Sequence, residues 1–171
     1  MNLDLLEALL FVQSEPVPLT QVGLWLGVDD QAARAEIEAL QELLTSRGSG
    51  LTVQWVAGGI RLTTHPQLYS KLTARLQYRA PEPLSHASWE VLAVVAYRQP
   101  VTRLEIEAIR QTGSESAIET LVQRELIQEV GRKEAPGRPI LYGTTGRFLT
   151  QFGLESLADL PSISQDSGPS A

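Results

Sequence analysis

Cysteine is absent from the 171 residues, and histidine occurs only twice. A chain without cysteine has neither a disulfide framework nor a thiolate metal site. His65 and His86 lie in different halves, and neither has a cysteine or a second histidine at the spacing of metal ligands. The sequence therefore predicts no metal site and no cofactor, and the missing thiols fit a reducing cytosol.

A long apolar run and a basic leader are also missing. The first residues, MNLDLLEALLFVQSEP, have an acid at position four, and Asp4 and Glu7 interrupt the leucines. A secretory leader begins with basic residues, and a transmembrane helix needs about 20 apolar residues. We therefore expect a soluble, cytoplasmic protein that makes no contact with a membrane.

Basic residues are scarce, with 14 lysines and arginines against 20 aspartates and glutamates and a net charge of −6. Proteins that bind nucleic acid by neutralising phosphates usually carry an excess of positive charge, at least locally. The charge balance of the chain therefore favours a polypeptide partner over DNA.

The motifs of common enzyme active sites are missing as well. The sequence has no G-x-x-x-x-G-K loop to hold a phosphate. Glu105 and Glu107 are two positions apart on a predicted helix, so they point to different sides, and no nucleophile lies next to a base. The sequence predicts a protein that is not an enzyme and has no small-molecule substrate.

One pattern of elements occurs twice, about 80 residues apart, which indicates an internal duplication. In the first half, three predicted helices precede LTVQW and IRLTT, two alternating stretches that a glycine turn joins into a hairpin. A bridging helix, HPQLYSKLTARL, then leads to the second half. There, a helix around Trp89, a T-x-x-E capping box at Thr102 and Glu105, a helix from Ser114 to Ile127 and a second hairpin follow.

Three helices followed by a two-stranded hairpin is the element order of a winged-helix domain. We therefore predict a mainly α (α+β) chain of two tandem winged-helix domains, each with three helices and a two-stranded wing. The predicted first domain, with the bridging helix, spans residues 1–79, the linker 80–84 and the second domain 85–160. Residues 161–171 have few apolar groups and are expected to be disordered.

The third helix of each half would enter the major groove if the protein bound DNA as a helix-turn-helix. Both helices are acidic, which disfavours phosphate. A protein-binding role is therefore favoured, and a winged-helix DNA-binding transcriptional regulator is the alternative interpretation. The loop of the second hairpin, VGRKEAPGRPILYGTT, is basic, and its charged groups either are solvated turn residues or contact a partner; they are Arg132, Lys133 and Arg138.

Several segments resemble the bacterial segregation and condensation protein B family, namely EALLFVQSEPVPLTQV, AYRQPVTR, PGRPILYGTT and FGLESLADLP. They occur in the family's order and spacing, and the likeness runs from Leu3 to Pro161. The resemblance implies two winged-helix domains, the first of which forms a homodimer while the second binds the kleisin ScpA. It also implies a non-enzymatic scaffold of the SMC–kleisin condensin complex, which condenses and partitions the chromosome during cell division.

Within that complex, the resemblance implies contact with the SMC ATPase through the kleisin, association with the nucleoid and at most weak or indirect contact with DNA. A scaffold that grips a partner segment needs grooves and apolar side chains beyond those of the core. Our candidates for kleisin binding are Trp89, Tyr97, Arg132, Arg138, Ile140, Tyr142 and Phe148. Our candidates for dimerisation are Leu5, Leu9, Leu24 and Trp25. The apolar members of both sets could equally be core residues, because such residues usually pack inward.

Overall fold

A computed structural model describes residues 3–76 and 82–162 of the chain. The predicted tail from residue 163 onwards and the first part of the predicted linker, residues 80–81, lie outside the described residues. So do residues 77–79, the end of the predicted first domain.

The first half folds as helix, short strand, two helices and a hairpin. The elements are α1 (Leu3–Phe11), β1 (Val17–Pro18), α2 (Leu19–Leu26), α3 (Asp30–Ser46), β2 (Leu51–Val56) and β3 (Gly59–Thr64). The bridging segment forms a 3₁₀ turn (Pro66–Leu68) and helix α4 (Tyr69–Leu76). Helix α3 begins at Asp30 because the preceding Asp29 caps it, its carboxylate accepting a hydrogen bond of 2.8 Å from the Ala32 N–H.

The second half repeats this order and ends with an additional helix. Its elements are α5 (His86–Arg98), β4 (Val101–Thr102), α6 (Arg103–Arg110), α7 (Glu115–Gln123), β5 (Ile127–Arg132), β6 (Ile140–Thr144), α8 (Gly146–Phe152) and a 3₁₀ turn (Leu157–Asp159). The predicted fold class, mainly helical with small antiparallel sheets, is confirmed. The order of elements is consistent with a winged helix in each half.

The prediction missed one short strand in each half and misplaced one helix end. Each wing is the predicted two-stranded hairpin, and the short segment before the second helix of each half adds a third strand to its sheet, in the orders β1-β3-β2 and β4-β6-β5. The third helix of the second half ends at Gln123, not at Ile127. Glu125 adopts a left-handed φ of 56°, which no α-helix accommodates, and Ile127 begins strand β5 instead.

Each half encloses its own apolar core. Leu6, Leu10, Ile37, Leu40 and Leu44 are buried in the first half. The second core is built in the same way from helices α5, α6 and α7, strand β5 and helix α8; its buried members include Val91, Leu92, Val95, Ile106, Leu121 and Phe148. These clusters bury the apolar stripe of every helix described except α4, and such burial is the main source of stability for short helices.

The turn of the first hairpin contacts the segment after helix α8. The Ala57 N–H donates a hydrogen bond of 2.8 Å to the Leu154 carbonyl, and the Gly58 N–H donates one of 2.8 Å to the Glu155 carbonyl. Backbone groups at a hairpin turn have no partner within the hairpin, so these two bonds satisfy them and hold the segment that follows α8.

Gly59 is required where β1 pairs with β3 in the sheet. A Cβ at this position would lie 2.8 Å from the Val17 carbonyl oxygen and 2.9 Å from the Val17 carbonyl carbon, both of which are backbone atoms. We expect Gly59→Ala to destabilise the fold by about 1–3 kcal/mol, because the strands must separate to admit the methyl group. A lower melting temperature in a circular-dichroism melt would show this, by about 2–4 °C for each kcal/mol.

Gly146→Ala is the matched control, because nothing lies within 4 Å of a Cβ at Gly146. It should melt at the wild-type temperature or slightly above, since alanine favours helix α8. Equal melting temperatures for the two variants would show that the approach of β1 to β3 does not require glycine.

Candidate partner-binding site

An apolar groove lies between helices α5 and α8. Trp89, Ala93 and Tyr97 are spaced four residues apart on α5, so they share one exposed face of that helix. The cavity has a volume of about 350 Å³. Its other lining residues are Leu92, Ala96, Phe148, Phe152, Leu154, Leu160 and Pro161.

Aromatic rings give the groove its shape. The Phe148 ring, buried in the core, lies 4.8 Å from the Phe152 ring, centroid to centroid. Phe152 in turn meets Trp89 edge to face, at 5.9 Å and 75°. Such pairs contribute about 0.5–1.5 kcal/mol beyond area burial. Trp89 nevertheless keeps 47% of its surface exposed, so a large apolar area remains uncovered.

The far end of the groove is closed by the chain itself. The Tyr97 hydroxyl donates a hydrogen bond of 2.7 Å to the Pro161 carbonyl. Leu154 and Leu160, on the same returning segment, pack against the second core. The groove is therefore open at Trp89 and bounded at Tyr97.

The second hairpin forms another cavity, of about 430 Å³, which we call the wing pocket. It lies between the hairpin and the first residues of α6 and α7. The lining residues are Arg103, Leu104, Glu115, Arg132, Gly137, Arg138, Pro139, Ile140 and Tyr142. The groove and the wing pocket share no lining residue.

The hairpin is held in position by Gln99, at the end of α5. Its side-chain oxygen accepts a hydrogen bond of 2.7 Å from the Thr144 N–H, and its side-chain nitrogen donates one of 2.9 Å to the Thr144 hydroxyl. Gly143 allows this approach, because a Cβ there would lie 2.9 Å from the Gln99 oxygen. The wing is thus tied directly to the helix that carries the groove.

A capping box and an ion pair fix the base of the wing loop. Thr102 and Glu105 form the predicted capping box. The second carboxylate oxygen of Glu105 accepts a hydrogen bond of 2.5 Å from Lys133 Nζ. The bond from Lys133, followed by those from Thr102, lowers the pKa of Glu105 from 4.5 to about 2. Of the loop's three basic residues, Lys133 therefore has a structural partner.

The basic residues of the acidic third helices are engaged within the chain. Arg34 on α3 stacks over the Trp55 ring at 4.3 Å, and Arg47 pairs with Glu7 at 2.5 Å. Arg124, after α7, donates to the Glu82 carbonyl at 2.6 Å. The acids that give these helices their charge include Asp30, Glu36, Glu38 and Glu42 on α3 and Glu115 and Glu119 on α7. Both helices therefore present a surface that repels phosphate.

The seven candidates for kleisin binding fall into two places. Trp89, Tyr97 and Phe148 line the groove, with Phe148 buried at its floor. The other four line the wing pocket; they are Arg132, Arg138, Ile140 and Tyr142. Sequence reasoning missed Phe152, whose spacing of four from Phe148 on α8 could have indicated it. It also missed Leu154, Leu160 and Pro161, which no local pattern places in the groove.

The candidates for dimerisation are divided between surface and core. Leu24 and Leu5 are 76% and 44% exposed. Leu9 is partly buried, and Trp25 packs against the first core. Phe11 and Val12, at the end of α1, were not among the candidates although each is 71% exposed.

Comparison with known proteins identifies the family. A family model described as segregation and condensation complex subunit ScpB matches residues 4–163. Segregation and condensation protein B of Moorella thermoacetica is 48% identical over 158 residues, covering 92% of this chain and 80% of its own. The chain therefore belongs to the ScpB family, whose members are named segregation and condensation proteins.

Two solved structures are also similar. ScpB from Mycobacterium tuberculosis is 34% identical, with 89% of this chain and 94% of that chain covered and a TM-score of 0.42. A dimer of an ScpB N-terminal domain complexed with ScpA peptide is 28% identical, with 43% of this chain and 91% of that chain covered and a TM-score of 0.40.

Two further observations concern only residues 3–76 and 82–162. No helix in these ranges is both long enough and apolar enough to cross a membrane. No group of three or more histidines, aspartates and glutamates in them is arranged to hold a metal ion.

The Lys133–Glu105 pair gives a prediction for pH. Because the folded pKa of Glu105 lies below its ordinary value, this carboxylate stabilises the fold above about pH 4.5. That contribution is lost as the pH falls from about 4.5 to about 2. We expect Lys133→Gln to move the Glu105 titration midpoint upward toward 4.5, measured by carbon-13 NMR of the side-chain carboxyl.

Arg132→Gln removes the same charge from the neighbouring position and is the control. It should leave the Glu105 midpoint unchanged, because Arg132 makes no bond to that carboxylate. An equal upward shift in both variants would mean that the general positive charge of the loop, and not the Lys133 hydrogen bond, lowers the pKa.

Proposed function

We propose that this protein is a non-enzymatic scaffold subunit of the bacterial SMC–kleisin condensin complex. In this role it binds the kleisin ScpA, is linked through it to the SMC ATPase, and acts in chromosome condensation and partition during cell division. It works in the cytoplasm and joins the nucleoid through the complex. The observation that carries the proposal is an exposed apolar groove on a chain of the ScpB family.

The groove has the chemistry of a site for an apolar polypeptide segment. Apart from the Tyr97 hydroxyl and the Trp89 ring nitrogen, its lining side chains have no polar group. The Tyr97 hydroxyl is already bonded to Pro161, so little is offered to a polar ligand. An amphipathic helix that lays apolar side chains into a groove is a recurrent mode of recognition. Large aromatic residues such as Trp89 often supply most of the binding energy in such sites.

The first test concerns partner binding at Trp89. We expect the wild-type protein to co-elute with a kleisin ScpA fragment on a sizing column. Trp89→Asp should weaken this binding by about tenfold or more in calorimetry, because it places a charge among apolar side chains. Since nearly half of the Trp89 surface is exposed, the variant should remain folded.

Ile109→Asp serves as the control, because Ile109 is 54% exposed on α6 and does not line the groove. It should bind the fragment like the wild type. Equal weakening by both variants would remove the groove from the binding site. Separate elution of wild-type protein and fragment, together with tight duplex binding that falls steeply with salt, would replace the scaffold by a transcriptional regulator.

The second test concerns the homodimer, which we assign to exposed apolar side chains of the first half. Leu24 has 76% of its surface exposed on α2. We expect sedimentation velocity to report a dimer at micromolar concentration and Leu24→Asp to shift it to monomer, because the substitution buries an unpaired charge. Ile109→Asp should leave the dimer intact. A wild-type monomer at that concentration would contradict the proposed assembly.

A further inference from the structure

The wing pocket has a chemistry opposite to that of the groove. Three guanidinium groups and a phenol line it, from Arg103, Arg132, Arg138 and Tyr142. Guanidinium groups are permanent donors and never acceptors. Glu115 is the one acidic residue of the lining, and it pairs with Arg103 at 2.7 Å.

Arg132 and Arg138 are the two arginines of the wing pocket that have no carboxylate partner in the part of the chain that the structure describes. Within residues 3–76 and 82–162, neither forms an ion pair. Arg132 donates a hydrogen bond of 3.2 Å to the Arg138 carbonyl, which is a neutral acceptor. In contrast, Lys133, between them in sequence, is bonded to Glu105. Two charges are therefore available to a ligand.

The loop presents Arg138 in a defined position. Its N–H donates a hydrogen bond of 2.8 Å to the Ala135 carbonyl, and the Lys133 N–H donates one of 2.9 Å to the Pro139 carbonyl. Arg138 has a left-handed φ of 41° between Gly137 and Pro139. A side chain on a backbone held in this way loses less freedom on binding than one on a flexible loop.

Tyr142 adds a neutral donor. Burial is the main cause that raises the pKa of its phenol above the ordinary value, and the nearby Glu129 raises it further. The hydroxyl thus keeps its proton at neutral pH. The remaining lining side chains are apolar, from Leu104, Pro139 and Ile140, and Leu104 is 64% exposed.

A ligand for this pocket must accept hydrogen bonds, carry negative charge and adjoin an apolar group. A carboxylate on a polypeptide meets all three conditions, since arginine binds carboxylates with two parallel hydrogen bonds. Duplex DNA meets them less well, because its charges follow one another every ~1.7 Å along the axis. The phosphates next to a bound one would approach Glu115, which lines the pocket, and Glu129, which lies near Tyr142.

We propose that the wing pocket binds an aspartate or glutamate side chain of an acidic segment of the partner polypeptide, held by Arg132, Arg138 and Tyr142. An apolar residue beside that acid packs on Leu104 and Ile140. The inference rests on the proposed function, in which the partner is the kleisin. The wing pocket would thus be a second binding site, separate from the apolar groove, that recognises negative charge.

The test is calorimetry of the full-length protein with the kleisin ScpA fragment at two salt concentrations. Arg138→Gln should weaken binding roughly tenfold, because a hydrogen bond between charged groups is lost. It should also make the affinity less dependent on salt. Tyr142→Phe should weaken binding by a smaller factor. Arg75→Gln removes an equal charge from exposed α4 and should match the wild type.

A charge exchange identifies the ligand group. Arg138→Glu should nearly abolish binding, and replacing one acid of the fragment by lysine should restore it. If Arg138→Gln binds the fragment like the wild type while Trp89→Asp does not bind it, the wing pocket is not part of the binding site. The proposed function would then still hold. No binding by the wild-type protein would overturn both. Tight binding of a fluorescent duplex that Arg138→Gln abolishes would assign the pocket to phosphate and overturn the proposal.

Discussion

The capping box of Thr102 and Glu105 is the interaction on which the second half depends. Thr102 pairs with Leu141 in the sheet and, at the same time, caps α6 by accepting a hydrogen bond of 3.3 Å from the Glu105 N–H. Glu105 closes the box with one carboxylate oxygen and holds Lys133 with the other. Thr102 and Glu105 thus connect the sheet, helix α6 and the wing loop. The wing pocket is therefore built on rigid elements.

The charged groups that a partner can reach depend on local pairing between side chains, and the net charge of −6 does not reveal them. Most arginines on helices are used inside the chain: Arg110, for example, bonds both Glu90, at 2.9 Å, and Ser114, at 2.6 Å. Such pairs join α6 to its neighbours. Among the described residues without an ion pair, Arg132 and Arg138 lie together in the wing pocket, and in the proposed role they select a single acidic group more readily than a duplex.

Local signals predicted most of the fold. The T-x-x-E motif placed α6 correctly, the change from helical to alternating periodicity placed the first hairpin, and the internal repeat placed the second. The short strands β1 and β4 were missed because two residues are too few to show a period. The groove could not be predicted as a whole, because Leu154 and Leu160 reach it only through the return of the chain after α8. Trp89 and Tyr97 were candidates because they are aromatic residues beyond those that the core requires, and both line the groove.

In the proposed role, the two candidate surfaces contribute differently to recognition of the partner. An apolar groove gains affinity from area removed from water, but it discriminates poorly among apolar segments. A pocket of guanidinium donors contributes less to affinity and more to the choice of partner, because a segment without an acid covers these exposed donors and gives them no acceptor. Gln99 ties the wing to the end of α5, so the spacing between the two surfaces is set by the fold. A partner must therefore present its apolar and acidic residues at a matching distance.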